Sequence, residues 1–146
     1  MKQPSLEERF SHALHNTARG WRLMVDRRLK DLGMSQASWL TVAEAAKSKT
    51  PLAQIELANR VGVEGATMVA MLDRLANAGL IVRVPSETDR RVKLVTLTAE
   101  GLKLYEKVQV EASAVRKQLL SGIDPKVLLA ATELLEKLRG DVGEAP

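Results

Sequence analysis

Cysteine is absent from the 146 residues. That excludes a disulfide framework, a thiolate zinc knuckle and a thiol-based redox switch. Aromatic residues are scarce at 3%, with Phe10, Trp21, Trp39 and Tyr105 the full set. The core must therefore be aliphatic, which argues against a β-sandwich and for packed helices rich in Leu, Val and Ala. No apolar run approaches the roughly 18 residues of a membrane helix. The opening MKQPSLEERF lacks the apolar stretch of a signal peptide. There is no P-loop, no dinucleotide fingerprint and no nucleophile motif, and only two histidines are present. The chain is accordingly not read as an enzyme, no cofactor is expected, and a soluble cytoplasmic protein without a membrane partner is the expectation.

What is present fits one globular domain, or one domain with a dimerisation extension. Hydrophobic residues make up 45% and charged residues 27%, so the chain can bury a core and does not have a disordered composition. The net charge of +4 is mildly basic, in keeping with a polyanionic partner without requiring one.

The periodicity predicts six helices and a β-hairpin. Over residues 5–31, Phe10, Leu14, Ala18, Trp21, Val25, Leu29 and Leu32 recur at steps of three and four, forming one helical stripe. Ser5 suits the cap, Glu7 and Glu8 the first turn, and Gly33 the stop. Ser35 caps a second helix over 36–47, with Leu40, Ala43 and Ala46 on one side. Thr50-Pro51 reads as a cap and first-turn proline opening a short third helix, with Leu52, Ile55, Ala58 and Val61 inward and Gly62 at its end. A fourth helix over 65–78 buries Met68, Leu72 and Leu75, with Met71 beside them, and Gly79 closes it. Two short helices joined by a glycine-containing turn describe a helix-turn-helix.

Leu80–Val84 and Val92–Leu97 then read as strands. The loop between them, Pro85 to Arg91, exceeds the two to five residues of tight hairpins and should project as a wing. Thr98 caps a fifth helix striped by Leu102, Tyr105, Val108, Ala112, Val115 and Leu119. Asp124-Pro125 opens a last helix with Leu128, Ala131, Leu135 and Leu138, and the tail from Gly140 is expected to fray. The fold class expected is mainly α with a small β-wing: a winged helix-turn-helix over 35–98, flanked by dimerisation helices over 5–34 and 99–140. Those flanking stripes have few local partners, so Phe10, Leu14, Val115, Leu119, Leu128 and Leu135 are expected at a homodimer interface.

The run Asp89-Arg90-Arg91-Val92-Lys93-Leu94-Val95-Thr96-Leu97-Thr98-Ala99-Glu100-Gly101 resembles the wing of MarR-family regulators, in which Asp-x-Arg leads through a strand to Leu-Thr-x-x-Gly. Leu57-Ala58, Gly62-Val63, Leu72-Asp73-Arg74-Leu75 and Gly79-Leu80-Ile81 match the same family. Trp21-Arg22, Asp26-x-Arg28-Leu29-Lys30 and Trp39-Leu40-Thr41 resemble its SlyA branch. The resemblance implies a nucleoid-associated homodimer acting on double-stranded, pseudo-palindromic DNA. It also implies that Arg91 reaches the minor groove, held by Asp89. Physically, a guanidinium suits the groove's negative potential, and a neighbouring carboxylate can fix its fork beforehand. Arg90, Arg83 and Lys93 are candidate phosphate contacts, and Gln54 is a further one at the start of the third helix.

The fourth helix should enter the major groove. Thr67 and Arg74 on its solvent face can bond to bases or phosphates, whereas Ala70 can make only apolar contact. SlyA-like relatives carry arginine at the position of Ala70, so either specificity leans on the wing and on DNA shape, or the operator differs. The resemblance further implies a cleft for a small aromatic carboxylate or phenolic ligand. Trp39 can stack on such a ring and Arg22 can pair with a carboxylate, with Trp21 and Ala43 beside them. Both tryptophans equally suit a place in the core. His12 and His15 lie three apart on the first helix but lack further ligands, so no metal site is assigned.

Overall fold

The computed structural model describes residues 1–143. Helix α1 (Leu6–Lys30) begins at a reciprocal cap. The Ser5 hydroxyl accepts from the Glu8 backbone N–H, and the Glu8 carboxylate accepts from the Ser5 backbone N–H at 2.7 Å. Helix α2 (Gln36–Lys47) starts at Ser35, whose hydroxyl accepts from the Ser38 N–H. Its buried positions are Thr41, Val42 and Ala43, while Leu40 and Ala46 are only half-buried. The buried Thr41 hydroxyl donates to the Ala37 carbonyl at 2.8 Å, with Met71 Sδ 3.1 Å away.

Thr50-Pro51 does not open a helix. Strand β1 (Leu52–Ala53) follows instead, and Leu52 is drawn in to pair with Val95 and bury its side chain. Pro51 lies just before this edge strand, where a missing N–H costs no ladder bond. Helix α3 (Gln54–Val61) therefore starts later, at Ala53, without a side-chain cap. Ala58 faces inward as expected, but Leu57 joins it there and Ile55 is left 73% exposed rather than in the core. Gly62, with φ of +81°, makes the left-handed stop that L side chains resist, and helix α4 (Gly65–Asn77) follows. Met68, Met71, Leu72 and Leu75 of α4 are buried as the periodicity requires.

Strands β2 (Ile81–Pro85) and β3 (Lys93–Leu97) pair antiparallel from Ile81–Leu97 to Pro85–Lys93. With β1 they form a three-stranded sheet in the order β1-β3-β2. Helix α5 (Ala99–Leu120) leaves the sheet through Thr98, and helix α6 (Pro125–Val142) starts at the Asp124 cap. The expected fraying from Gly140 does not occur at that point, because α6 runs through Gly140 to Val142; the tail residues 144–146 lie outside the described residues. No helix among the described residues is long and apolar enough to cross a membrane.

One core joins Val25 and Leu29 of α1, Val42 of α2, Leu57 of α3, the α4 stripe, Ile81, Val95, and Val108 and Val115 of α5. Val115 is thus fully buried within the protomer, so its side chain is not at the outer surface where an interface residue was expected. By contrast α6 buries no residue, and Phe10, Leu14, Leu119, Leu129 and Leu135 stay exposed.

The tightest junction lies where sheet meets α5. Thr98 Oγ1 donates to the Gly79 carbonyl at 2.6 Å and accepts from the Gly101 N–H, while the Thr98 N–H donates to the Leu80 carbonyl at 3.1 Å. Gly101 lets α5 approach so closely that a Cβ there would collide with the Leu80 carbonyl oxygen, a backbone atom with little freedom to move. Gly101→Ala should therefore destabilise the fold by about 1–3 kcal/mol through overpacking. Urea unfolding at fixed protein concentration checks this; an unchanged midpoint would contradict the close approach.

Candidate nucleic-acid interface and adjoining cleft

The wing tip is organised by short-range bonds. The loop between β2 and β3 closes with the Ser86 N–H on the Val92 carbonyl at 2.8 Å and the Val92 N–H on the Asp89 carbonyl at 3.0 Å. The Thr88 N–H donates to the Ser86 hydroxyl. Within this frame Asp89 receives three bonds from one residue. The Arg91 backbone N–H and Nε reach Oδ1 at 3.1 Å each, and an Arg91 terminal nitrogen reaches Oδ2 at 3.2 Å. The guanidinium is held in a bidentate fork, yet its side chain is 92% exposed. Its outer face is therefore open to a polyanion. Arg90, also exposed, flanks it.

Arg83 is placed differently from a free phosphate contact. It lies at mid-strand on β2, and its guanidinium meets Asp73 of α4 at 2.7 Å. The pair ties the edge strand β2 to the exposed face of α4 and offsets the Asp73 carboxylate there. Arg83 shares a notch of about 330 Å³ with Gln54 and Lys93. Gln54 Oε1 is buried there and lacks a hydrogen-bond partner among the described residues. The sequence reading named Gln54, Arg83 and Lys93 separately; the sheet brings them together.

The exposed residues of α4 include Thr67, Val69, Ala70, Asp73 and Arg74. Thr67, Ala70 and Arg74 are thus on the solvent face, and Asp73 and Val69 were not anticipated. The hydrogen-bonding repertoire of this face is small.

A second site lies between α1, α2 and α5. A cleft of about 340 Å³ brings Trp21, Arg22, Trp39 and Ala43 together, all four residues singled out from the sequence. Tyr105, Gln109, Ala112 and Arg116 of α5 and Lys47 of α2 complete it. Helical spacing alone puts Tyr105, Gln109, Ala112 and Arg116 on one face of α5. Only packing shows that this face meets α1 and α2. The floor at Val25, Ala43 and Val108 is buried, and Arg22, Lys47 and Arg116 at the mouth are exposed. The Trp39 indole nitrogen is buried without a partner among the described residues. His12 and His15 lie apart on the outer face of α1 near Glu8, and the described residues contain no cluster of three metal-ligating side chains.

Comparison with known proteins gives a consistent picture. A model of the MarR family matches residues 34–93. The transcriptional regulator PA3341 shares 37% identity, covering 91% of this chain and 97% of that one, with a TM-score of 0.80. CouR from Rhodococcus jostii RHA1, solved with p-coumaroyl-CoA, shares 23% identity over 93% of this chain and 95% of that one, with a TM-score of 0.78. MepR from S. aureus, solved with DNA, shares 21% identity over 90% of this chain and 97% of that one, with a TM-score of 0.78.

The Asp89 fork has a titration consequence. Hydrogen bonds from the Arg91 side chain and then its backbone N–H hold the Asp89 carboxyl below its ordinary value of 3.8. The fork's contribution is complete above that ordinary value and is lost as pH falls through the lowered native value. Carbon-detected NMR should find Asp89 titrating below an ordinary aspartate, with Arg91→Ala, which removes the side-chain donors but keeps the backbone N–H, moving it part of the way back up. An ordinary Asp89 titration in the unmodified protein would show the fork to be unformed in solution.

Proposed function

The chain belongs to the MarR family, and from that premise we propose that it is a homodimeric, sequence-specific regulator of transcription. It binds a pseudo-palindromic duplex, with α4 in the major groove and the wing in a neighbouring minor groove, and a small aromatic or phenolic ligand releases it. The observation that carries this reading is the Asp89–Arg91 fork, a cation ordered in advance yet almost wholly exposed at the tip of a projecting hairpin. Such an arrangement lowers the cost of ordering a long side chain when it meets the phosphate-lined groove. The relatives of like fold solved with DNA and with an aromatic acyl thioester support the same two activities.

Dimerisation through residues 5–34 and 99–140 accounts for apolar surface that the protomer leaves open. Phe10, Leu14, Leu119 and Leu135 are exposed, Leu128 is half-buried, and α6 has no buried side chain. A second copy is the economical cover, and its two-fold symmetry repeats the reading head about 34 Å along the duplex. Helix α2 supplies a route from ligand to DNA. Trp39 and Ala43 line the cleft, while Thr41, between them in the chain, touches Met71 of α4. A ligand that favours one placement of α2 thereby biases the position of α4.

The spare base-reading face of α4, where Val69 and Ala70 offer no hydrogen bond, favours a second reading. In it the protein is an architectural or anti-silencing binder of SlyA type with weak sequence preference. Selection of bound fragments from random DNA separates the two: more than about tenfold enrichment of a symmetric site supports the specific regulator, and less supports the architectural one.

Under either reading Arg91→Ala should weaken duplex binding at least about tenfold without loss of helicity, a change of about 1.4 kcal/mol or more. Mobility-shift titration with circular dichroism measures both, and unchanged affinity removes the wing from the interface. Affinity should also fall steeply as salt rises, because each neutralised phosphate releases counterions. Leu135→Asp, which sets a charge on the open face of α6, should shift sedimentation towards a monomer.

A further inference from the structure

The cleft between α1, α2 and α5 carries more positive charge than one carboxylate requires. Arg22 comes from α1, Lys47 from α2 and Arg116 from α5, so each wall contributes one cation, and no acidic side chain lines the cleft. Elsewhere Arg28, Arg60, Arg83, Arg91 and Lys103 each face a carboxylate within 4.0 Å. Within the protomer, among the described residues, Arg22, Lys47 and Arg116 have no such partner, as is true of most other cations; what sets these three apart is that they line one cleft with no acidic side chain. The one side-chain bond of Arg22 is from Nε to its own helix, at the Ala18 carbonyl, 3.4 Å away. Three cations lining one cleft with no acidic side chain give it a positive potential, which favours an anion that fills it.

The interior narrows the choice of anion. Trp21, Trp39 and Tyr105 offer ring faces or edges, and Val25, Ala43, Val108 and Ala112 offer small apolar contacts. The buried Trp39 N–H lacks an acceptor among the described residues, a state that costs free energy. A volume of about 340 Å³ suits a single-ring molecule.

We propose that this cleft selects flat aromatic ligands bearing two separated anionic groups over those bearing one, with Arg22, Lys47 and Arg116 as the selecting residues. The inference rests on the cleft being the effector site and adds the charge of its ligand. Against three positive charges, a monoanion leaves two uncompensated and a dianion leaves one. The second anionic group therefore adds binding that a neutral substituent of the same shape does not.

The test uses the full-length protein and four probes of similar size: phenol, benzoate, isophthalate and terephthalate. Calorimetry and tryptophan fluorescence report binding, and both tryptophans of the chain line the cleft. At constant ionic strength the better dicarboxylate should bind about tenfold more tightly than benzoate, the scale of one added charge-assisted contact. Arg116→Gln should reduce that preference to about threefold or less, whereas Arg116→Lys, which keeps the charge, should retain most of it. Circular dichroism confirms that both variants fold. Equal affinity for benzoate and both dicarboxylates overturns the proposal while leaving the effector cleft in place. A preference that survives both Arg116→Gln and Lys47→Gln overturns it as well. If none of the four probes binds, the effector reading falls and the proposal falls with it.

Discussion

The close seating of α5 on the end of the sheet is the constraint from which the remaining geometry follows. Thr98 bonds through its hydroxyl to Gly79 and through its backbone to Leu80, and Gly101 gives up its side chain so that α5 can lie against the Leu80 carbonyl. Gly79 and Leu80 are the connection between α4 and the wing. One junction therefore fixes α4, the β2–β3 hairpin and the long helix that leads away from both. Backbone packed against backbone at this junction has no rotamer with which to absorb a displacement of α5.

Two carboxylates then set cations of the hairpin. Asp89 orders Arg91 without covering it, and Asp73 draws Arg83 back from the wing towards α4. The same chemistry thus has opposite effects on availability. At the tip, the carboxylate lies on the inner side of the guanidinium; at mid-strand, the partner belongs to the very helix that the cation would otherwise flank. In the cleft, Arg22, Lys47 and Arg116 line a site to which no acidic side chain contributes. Helix α2 touches both regions, presenting Trp39 and Ala43 to the cleft and Thr41 to Met71 of α4.

Much of this was legible in the chain. Ser5, Ser35, Thr98 and Asp124 cap helices where the sequence placed caps, because capping is settled by a few adjacent residues. The α4 stripe is buried as its spacing requires, and the loop too long for a tight turn projects. Thr50-Pro51 misled because the local start signal competes with a ladder partner some forty residues away, and pairing with β3 prevails. Val115 lay on the stripe assigned to a partner subunit but is enclosed by its own protomer.

Composition and helical period determined the class of fold and the order of its helices and hairpin, since each depends on neighbours within a turn or a hairpin, and the resemblance carried by the run from Asp89 to Gly101 pointed to Arg91. Tertiary structure alone decided the strand at Leu52–Ala53, the pairing of Arg83 with Asp73, and the convergence of Lys47, Tyr105 and Arg116 on the two tryptophans. The physical reason is one of range. Periodicity tells which face of a helix is apolar, but which other face it meets depends on the packing of the whole core, and that is where distant charges and rings become neighbours.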